Sequence, residues 1–122
     1  MREAQALTAA GEYSGAYYLA GYAIECALKA CIAKQFREYD FPDKQTVLDS
    51  YSHDPSQLAR VAKLDVKAQS QTDMLFATNW TTVKDWSEKA RYRIWTADQA
   101  QQLLEAITDQ KGGIMRWLRL HW

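Results

Sequence analysis

The segment between Tyr13 and Gln35 carries the clearest pattern of apolar and polar positions in this chain of 122 residues. It is rich in alanine and contains no proline, so it predicts one long helix. Projected at about 100° per residue, its polar positions fall on one narrow stripe, and most other positions are small or apolar. The stripe consists of Tyr18, Tyr22, Glu25 and Lys29. A helix that is apolar on nearly all sides is expected at the centre of a bundle.

Residues that typically cap the start of a helix divide the rest of the chain into further helices. Asp54 can cap a helix whose first turn holds Pro55 and Gln57, and Thr96 with Gln99 has the spacing of a capping box. Further helices are predicted at residues 2–10, 45–50, 66–77 and 114–122, and the helix after Thr96 is expected to end near residue 109. Residues 36–43 are predicted as a connection, and the aromatic segment 79–95 as irregular.

No run of residues alternates between apolar and polar positions as a strand would. The sequence therefore predicts a single all-α domain over residues 1–122, built as an up-and-down bundle of four main helices plus short extra helices.

Charge and composition narrow the function. Lysine plus arginine equals aspartate plus glutamate at 15 each, so the formal net charge is zero. This balance argues against an extended electrostatic footprint on duplex nucleic acid. The chain opens with polar residues rather than an apolar run, and Glu25 and Lys29 interrupt its longest apolar stretch. We therefore expect no membrane segment and a cytoplasmic location.

Two cysteines, Cys26 and Cys31, lie on different sides of the long helix, which is unsuitable for a disulfide between them. Without a second Cys/His cluster they do not predict a metal site, and we interpret both as small buried residues. The sequence also lacks a glycine-rich phosphate loop and a paired-carboxylate motif. We therefore predict no metal and no cofactor.

The polar stripe allows two interpretations. Glu25 and Lys29 can form an ordinary surface pair four residues apart, which contributes only about 0.3–0.5 kcal/mol. Alternatively the stripe is half-buried and faces a ligand, in which case Glu25 needs a cationic partner from elsewhere in the chain. Arg91 and Arg93 are candidates for that partner.

Several segments resemble the HEPN domains of prokaryotes. The long helix from Gly11 ends in the pattern Glu25-x-x-x-Lys29-Ala30. A His-Asp-x-x-x-Leu element follows at residues 53–58, a Trp-Ser-x-x-x-Arg-Tyr element stands at residues 86–92, and residues 113–118 also fit. The resemblance covers nearly the whole chain, and the long-helix pattern is its most specific part.

The resemblance implies a HEPN-like helical bundle that is usually homodimeric. Members of the family are associated with nucleotide binding, with RNA cleavage, or with a small nucleotidyltransferase in toxin–antitoxin systems. The nucleases carry an Arg-x(4–6)-His motif, in which imidazole serves acid–base chemistry and guanidinium stabilises phosphate charge. Here that spacing occurs only between Arg116 and His121, at the C-terminal end, so these two are weak catalytic candidates.

Three hypotheses follow for the function. The first is a homodimeric module that binds a nucleotide, RNA or a nucleotidyltransferase partner, and the second is a metal-independent endoribonuclease toxin that uses either Arg116 with His121 or His53 with Arg91. In the third, the aromatic segment docks on another protein, which exposure of Trp80 and Trp86 would favour. For the first hypothesis the predicted ligand-binding residues are Tyr22, Glu25, Lys29, His53, Asp54, Arg91 and Tyr92.

Overall fold

A computed structural model describes residues 1–38 and 43–122. Within these ranges the protein is all-helical. Eight α-helices and one short 3₁₀ helix follow one another along the chain. Their bounds are α1 Arg2–Ala9, α2 Tyr13–Glu38, α3 Lys44–Asp49, α4 Pro55–Val61, α5 Val66–Thr72, α6 Met74–Lys84, the 3₁₀ helix Glu88–Tyr92, α7 Ala97–Thr108 and α8 Ile114–Arg119.

The long helix α2 is the central element, as its composition predicts. It packs against α1, α4, α7, α8 and the 3₁₀ helix. Many of its inward positions are small and fully buried, among them Ala16 and Ala20. Small side chains let the surrounding helices approach closely, which explains how one helix contacts so many neighbours.

The largest correction to the predicted elements lies between residues 66 and 95. The predicted helix 66–77 is two helices, because Asp73 adopts an extended backbone conformation and its carboxylate accepts a hydrogen bond from Phe76 N. Part of the segment predicted as irregular belongs to α6. There Phe76 and Trp80, four residues apart, stack at a centroid distance of 6.3 Å and form the buried side of the helix.

Other boundaries differ less. The capping box of Thr96 and Gln99 is confirmed at the start of α7. Helix α2 continues to residue 38, so the predicted connection begins later than expected, and its centre around Pro42 lies outside the described residues. Helix α8 ends at Arg119 rather than at residue 122.

The prediction that both cysteines are buried is half wrong. Cys31 is buried in the core, but Cys26 is exposed because it lies on the outward side of α2.

Candidate functional site

Glu25 lies at the middle of α2 and is 2% exposed, the one buried charged residue among the described residues. Its Oε1 lies 3.0 Å from Lys29 Nζ, one turn further along the helix, and 2.7 Å from His53 Nδ1. The stripe is therefore half-buried rather than an ordinary surface pair. A buried carboxylate is costly unless cations or donors compensate it, and here Lys29 and His53 supply that compensation.

His53 is placed by the start of α4. Asp54 caps that helix by accepting a hydrogen bond from Ser56 N, and Pro55 occupies its first position. The imidazole extends from this turn toward α2, where Nδ1 meets Glu25. Because an ionised carboxylate only accepts hydrogen bonds, Nδ1 is the donor in this contact. The buried carboxylate thereby orients the ring and keeps a proton on Nδ1.

The second ring nitrogen faces a cleft. His53 Nε2 lies 3.2 Å from Oε2 of Glu88, which belongs to the 3₁₀ helix and is half-exposed. The cleft has a volume of about 590 Å³. Its lining mixes hydroxyl, carboxylate and ammonium groups and consists of Ser52, His53, Asp54, Lys84, Asp85, Trp86, Ser87, Glu88 and Lys89. Such a lining offers both hydrogen-bond donors and acceptors, and its charges are of both signs.

Arg91 does not pair with Glu25 as the sequence suggested. Its Nη2 donates a hydrogen bond of 2.6 Å to the Tyr92 hydroxyl, and its guanidinium lies 4.7 Å from the centroid of the Tyr92 ring. The hydrogen bond to Tyr92 raises the pKa of Arg91 above its ordinary value, with a smaller contribution from the charge of Glu88. Arg91 is therefore a solvent-exposed cation.

The tyrosines of the stripe form a second exposed group. Tyr22 is 44% exposed and stacks on Tyr18 at a centroid distance of 6.1 Å. Tyr18 in turn lies 6.0 Å from the Trp86 ring. Tyr92, on the 3₁₀ helix, is 74% exposed. Aromatic faces next to an exposed guanidinium are surfaces on which a base or another planar group can stack.

Arg116 and His121 make separate contacts at the C-terminal end. Arg116 donates a hydrogen bond to the carbonyl of Gln110 and lines a cleft near the end of α7. His121 lies beyond the end of α8, with its ring edge-on to Trp117 at 5.3 Å. His121 does not line the cleft that holds Arg116.

The sequence reasoning did not single out Trp86, Gly21 or Glu88 as parts of this site. The Trp86 ring is 2% exposed and lies over Gly21, where a Cβ would overlap the indole. Its position within the Trp-Ser-x-x-x-Arg-Tyr element was the one available signal. Gly21 makes room for the ring only because the segment that holds Trp86 packs on α2 at this point. No local sequence pattern reveals that packing.

The burial of Trp86 and Trp80 also removes the observation that would have favoured the third hypothesis. Trp80 is 7% exposed and belongs to the core. The aromatic segment therefore contributes mainly to the interior of this chain.

The described part of the chain contains no group of three or more His, Cys, Asp or Glu residues arranged to hold a metal ion. None of its helices is both long enough and apolar enough to cross a membrane. Comparisons with protein-family models, curated proteins and solved structures find no match to this chain.

Proposed function

We propose that this chain is a HEPN-like helical module that binds a nucleotide or a single strand of RNA beside the Glu25–His53 pair. The observation that carries the proposal is the buried Glu25, which holds the half-exposed His53 at the edge of a polar cleft. A buried carboxylate makes the fold less stable than an apolar side chain of similar size would. The presence of Glu25 beneath an exposed imidazole therefore favours a functional role for the pair.

The surface next to the cleft supplies what a nucleotide requires. Arg91 donates one hydrogen bond to Tyr92, and a guanidinium has five N–H donors, so others can reach phosphate oxygens. The exposed rings of Tyr22 and Tyr92 offer stacking faces for bases. Lys29, about one third exposed beside Glu25, adds a second positive charge. In this arrangement His53 and Asp54 contact the sugar or the base edge.

Fluorescence anisotropy with a short labelled single-stranded RNA, and calorimetry with ATP, test this proposal. Loss of one stacking ring costs about 1–3 kcal/mol, so we expect Tyr92→Ala to weaken binding at least about fivefold. Arg91→Ala is expected to weaken binding and to reduce its salt dependence. Arg60→Ala, an exposed arginine on α4, is the matched control and should bind like the wild type. Absence of binding to both probes contradicts the proposal.

A second candidate function is metal-independent RNA cleavage, favoured by the geometry of His53. With Nδ1 held by Glu25, Nε2 faces the cleft and can remove a proton from a ribose 2′-hydroxyl once Glu88 moves aside. The 2′-oxygen then attacks the adjacent phosphorus, the bond from phosphorus to the 5′-oxygen breaks, and the 5′-oxygen takes a proton from solvent water, which leaves a 2′,3′-cyclic phosphate and a 5′-hydroxyl. An RNA-cleavage assay in chelator, with His53→Ala and His121→Ala, separates this candidate from the first. Cleavage lost only in His53→Ala supports it, and no cleavage by the wild type contradicts it.

The proposed homodimer rests on the resemblance and on the outward side of α2. That side forms a shallow apolar depression of about 420 Å³ with the C-terminal segment. It is lined by Ala23, Cys26, Ala27, Ala30, Met115 and Trp122. A glutamate introduced as Ala30→Glu would place a charge in such an interface. We expect it to convert a dimer to a monomer in sedimentation equilibrium, and a monomeric wild type would contradict the dimer.

The partnership with a small nucleotidyltransferase in a toxin–antitoxin type system rests on the resemblance alone. Co-expression of the two proteins followed by co-purification tests it, and failure of the pair to co-purify would contradict it.

A further inference from the structure

Two buried polar atoms in the described part of the chain have no hydrogen-bond partner: Glu25 Oε2 and Trp86 Nε1. One is an acceptor and the other is a donor. A buried polar group left unpaired lowers stability, because it loses its hydrogen bonds to water without replacement. An unpaired donor and an unpaired acceptor therefore call for an explanation, and they are complementary to each other.

Glu25 belongs to α2, and Trp86, from the segment that follows α6, packs on the same helix one turn earlier, at Gly21. A Cβ on Gly21 would overlap Cδ1, Nε1 and Cε2 of Trp86, so the N–H edge of the indole lies against the backbone of this turn. Glu25 follows four residues later. Side chains on a helix lean toward its N-terminus, so the Glu25 carboxylate leans over the turn that holds Gly21. The absence of a side chain at Gly21 is what lets the indole N–H approach the carboxylate.

We propose that Trp86 is a positioning residue of the Glu25–His53 pair and that its indole N–H is the hydrogen-bond partner of Glu25 Oε2. A single bridging water or a small rotation of the carboxylate connects the two atoms. With Oε2 held by Trp86, Oε1 stays directed at His53 Nδ1 and Lys29 Nζ. Trp86 thus acts on His53 through Glu25. This role of Trp86 rests on the proposed function only in so far as His53 belongs to the binding site. The tests below require no ligand.

The first test reads the protonation pattern of His53. In ¹⁵N-labelled protein, at a pH where the imidazole is neutral, we expect the wild type to carry its proton on Nδ1, because Glu25 at 2.7 Å is a closer and more buried acceptor than Glu88, which lies 3.2 Å from Nε2. Trp86→Phe keeps an aromatic ring and removes the N–H, so the proton is expected to shift toward Nε2. Trp80→Phe is the matched control, since it alters another buried tryptophan that packs on Phe76, and it should leave the His53 signals unchanged.

The reciprocal test observes Trp86 itself. Glu25→Gln replaces a charged acceptor with a neutral one, so we expect the Trp86 indole proton resonance to move upfield. The indole proton of Trp95, which is donated to the Ala90 carbonyl at 2.9 Å, is the internal reference and should not move.

An unchanged Trp86 resonance in Glu25→Gln, or an unchanged His53 proton position in Trp86→Phe, overturns the assignment. If Trp86→Phe does not fold, the Glu25→Gln measurement decides alone. Because neither measurement involves RNA or nucleotide, this inference can fail while the binding proposal stands, and the reverse also holds.

Discussion

At the scale of single residues, Glu25 joins three parts of the chain. Its carboxylate contacts Lys29 on α2 and His53 before α4, while Glu88 reaches the same imidazole from the 3₁₀ helix. Lys29, His53 and Glu88 are all more exposed than Glu25, so the charges are buried on one side only. The interaction free energy between Glu25 and Lys29 should therefore be measurable, and smaller than that of a fully buried ion pair.

Lys29→Met tests this coupling in stability. It leaves Glu25 with one cationic partner fewer, and we expect a loss of about 1–2 kcal/mol in urea unfolding, below the range for fully buried pairs because Lys29 is about one third exposed. Combined with Glu25→Gln, the loss should be smaller than the sum of the two single changes. Lys67→Met, an exposed lysine on α5, is the control. Strict additivity of the two site substitutions would contradict the coupling.

A pair of glycines on α2 tests the packing of Trp86. Gly21→Ala places a methyl group in the space of the indole, and we expect a loss of about 1–3 kcal/mol from overpacking. Gly15→Ala meets only the Leu7 side chain at 3.3 Å and gains helix propensity, so it should be neutral or stabilising by up to about 1 kcal/mol. Thermal unfolding of both variants distinguishes the two positions. Equal effects would contradict the close approach of Trp86 to α2.

At the scale of elements, helix boundaries depend on polar side chains that capture backbone N–H groups. Asp73 divides α5 from α6, and Thr96 begins α7. Asp109 organises the turn between α7 and α8, where its carboxylate accepts hydrogen bonds from Lys111 N and Gly112 N. These backbone hydrogen bonds lower the pKa of Asp109.

The lowered pKa of Asp109 gives a pH dependence with a defined sign. A carboxyl group with a depressed pKa in the folded state stabilises the fold above its unfolded pKa, and this contribution is lost as pH falls through the folded pKa. We expect the wild type to be more stable than Asp109→Ala at neutral pH, with the difference shrinking below the ordinary value of 3.8. Urea unfolding across this range measures it.

Asp109→Asn is the control for that experiment, since the amide oxygen can still accept the two backbone hydrogen bonds but does not titrate in this range. Its stability should therefore lack the acid-dependent step of the wild type. A difference between the wild type and Asp109→Ala that stays constant into acid would contradict the assignment.

At the scale of the whole molecule, the two cysteines report on opposite sides of α2. Cys31 is buried, and burial raises the pKa of its thiol. Cys26 is exposed in the apolar depression on the outward side of the helix. In the native protein we expect a thiol reagent to modify Cys26 quickly and Cys31 only as the protein unfolds, because the thiolate is the reacting form and access controls it.

Cys26→Ser should abolish the fast phase of that reaction, and two equally fast thiols in the wild type would contradict the burial pattern. Protection of Cys26 that rises with protein concentration would support the proposed dimer through α2. A rate of Cys26 modification that does not depend on protein concentration would indicate that the outward side of α2 is not covered by a second copy.

The long helix, its central place and the capping box of α7 could be predicted from sequence because each depends on local features: apolar periodicity, alanine content and side chains that cap nearby N–H groups. The boundary at Asp73 was missed, although aspartate is a favoured N-cap and Phe76 and Trp80 have helical spacing, because the same residues also fit one continuous helix. Sequence also indicated that Glu25 needs a partner, since an unpaired buried carboxylate is costly in any fold.

Lys29 could be named from its spacing on α2, but which distant residue pairs with Glu25 was decided by tertiary structure alone. His53 lies 28 residues along the chain from Glu25 and reaches it only because α4 packs on α2. Arg91 also carries the positive charge that a buried Glu25 requires, but on the 3₁₀ helix it donates its hydrogen bond to Tyr92 instead. The residue types in the chain determined only that Glu25 would need compensation if it were buried, because an unpaired carboxylate is costly in any interior. The packing of distant segments determined that Glu25 is buried and that His53 supplies the second contact.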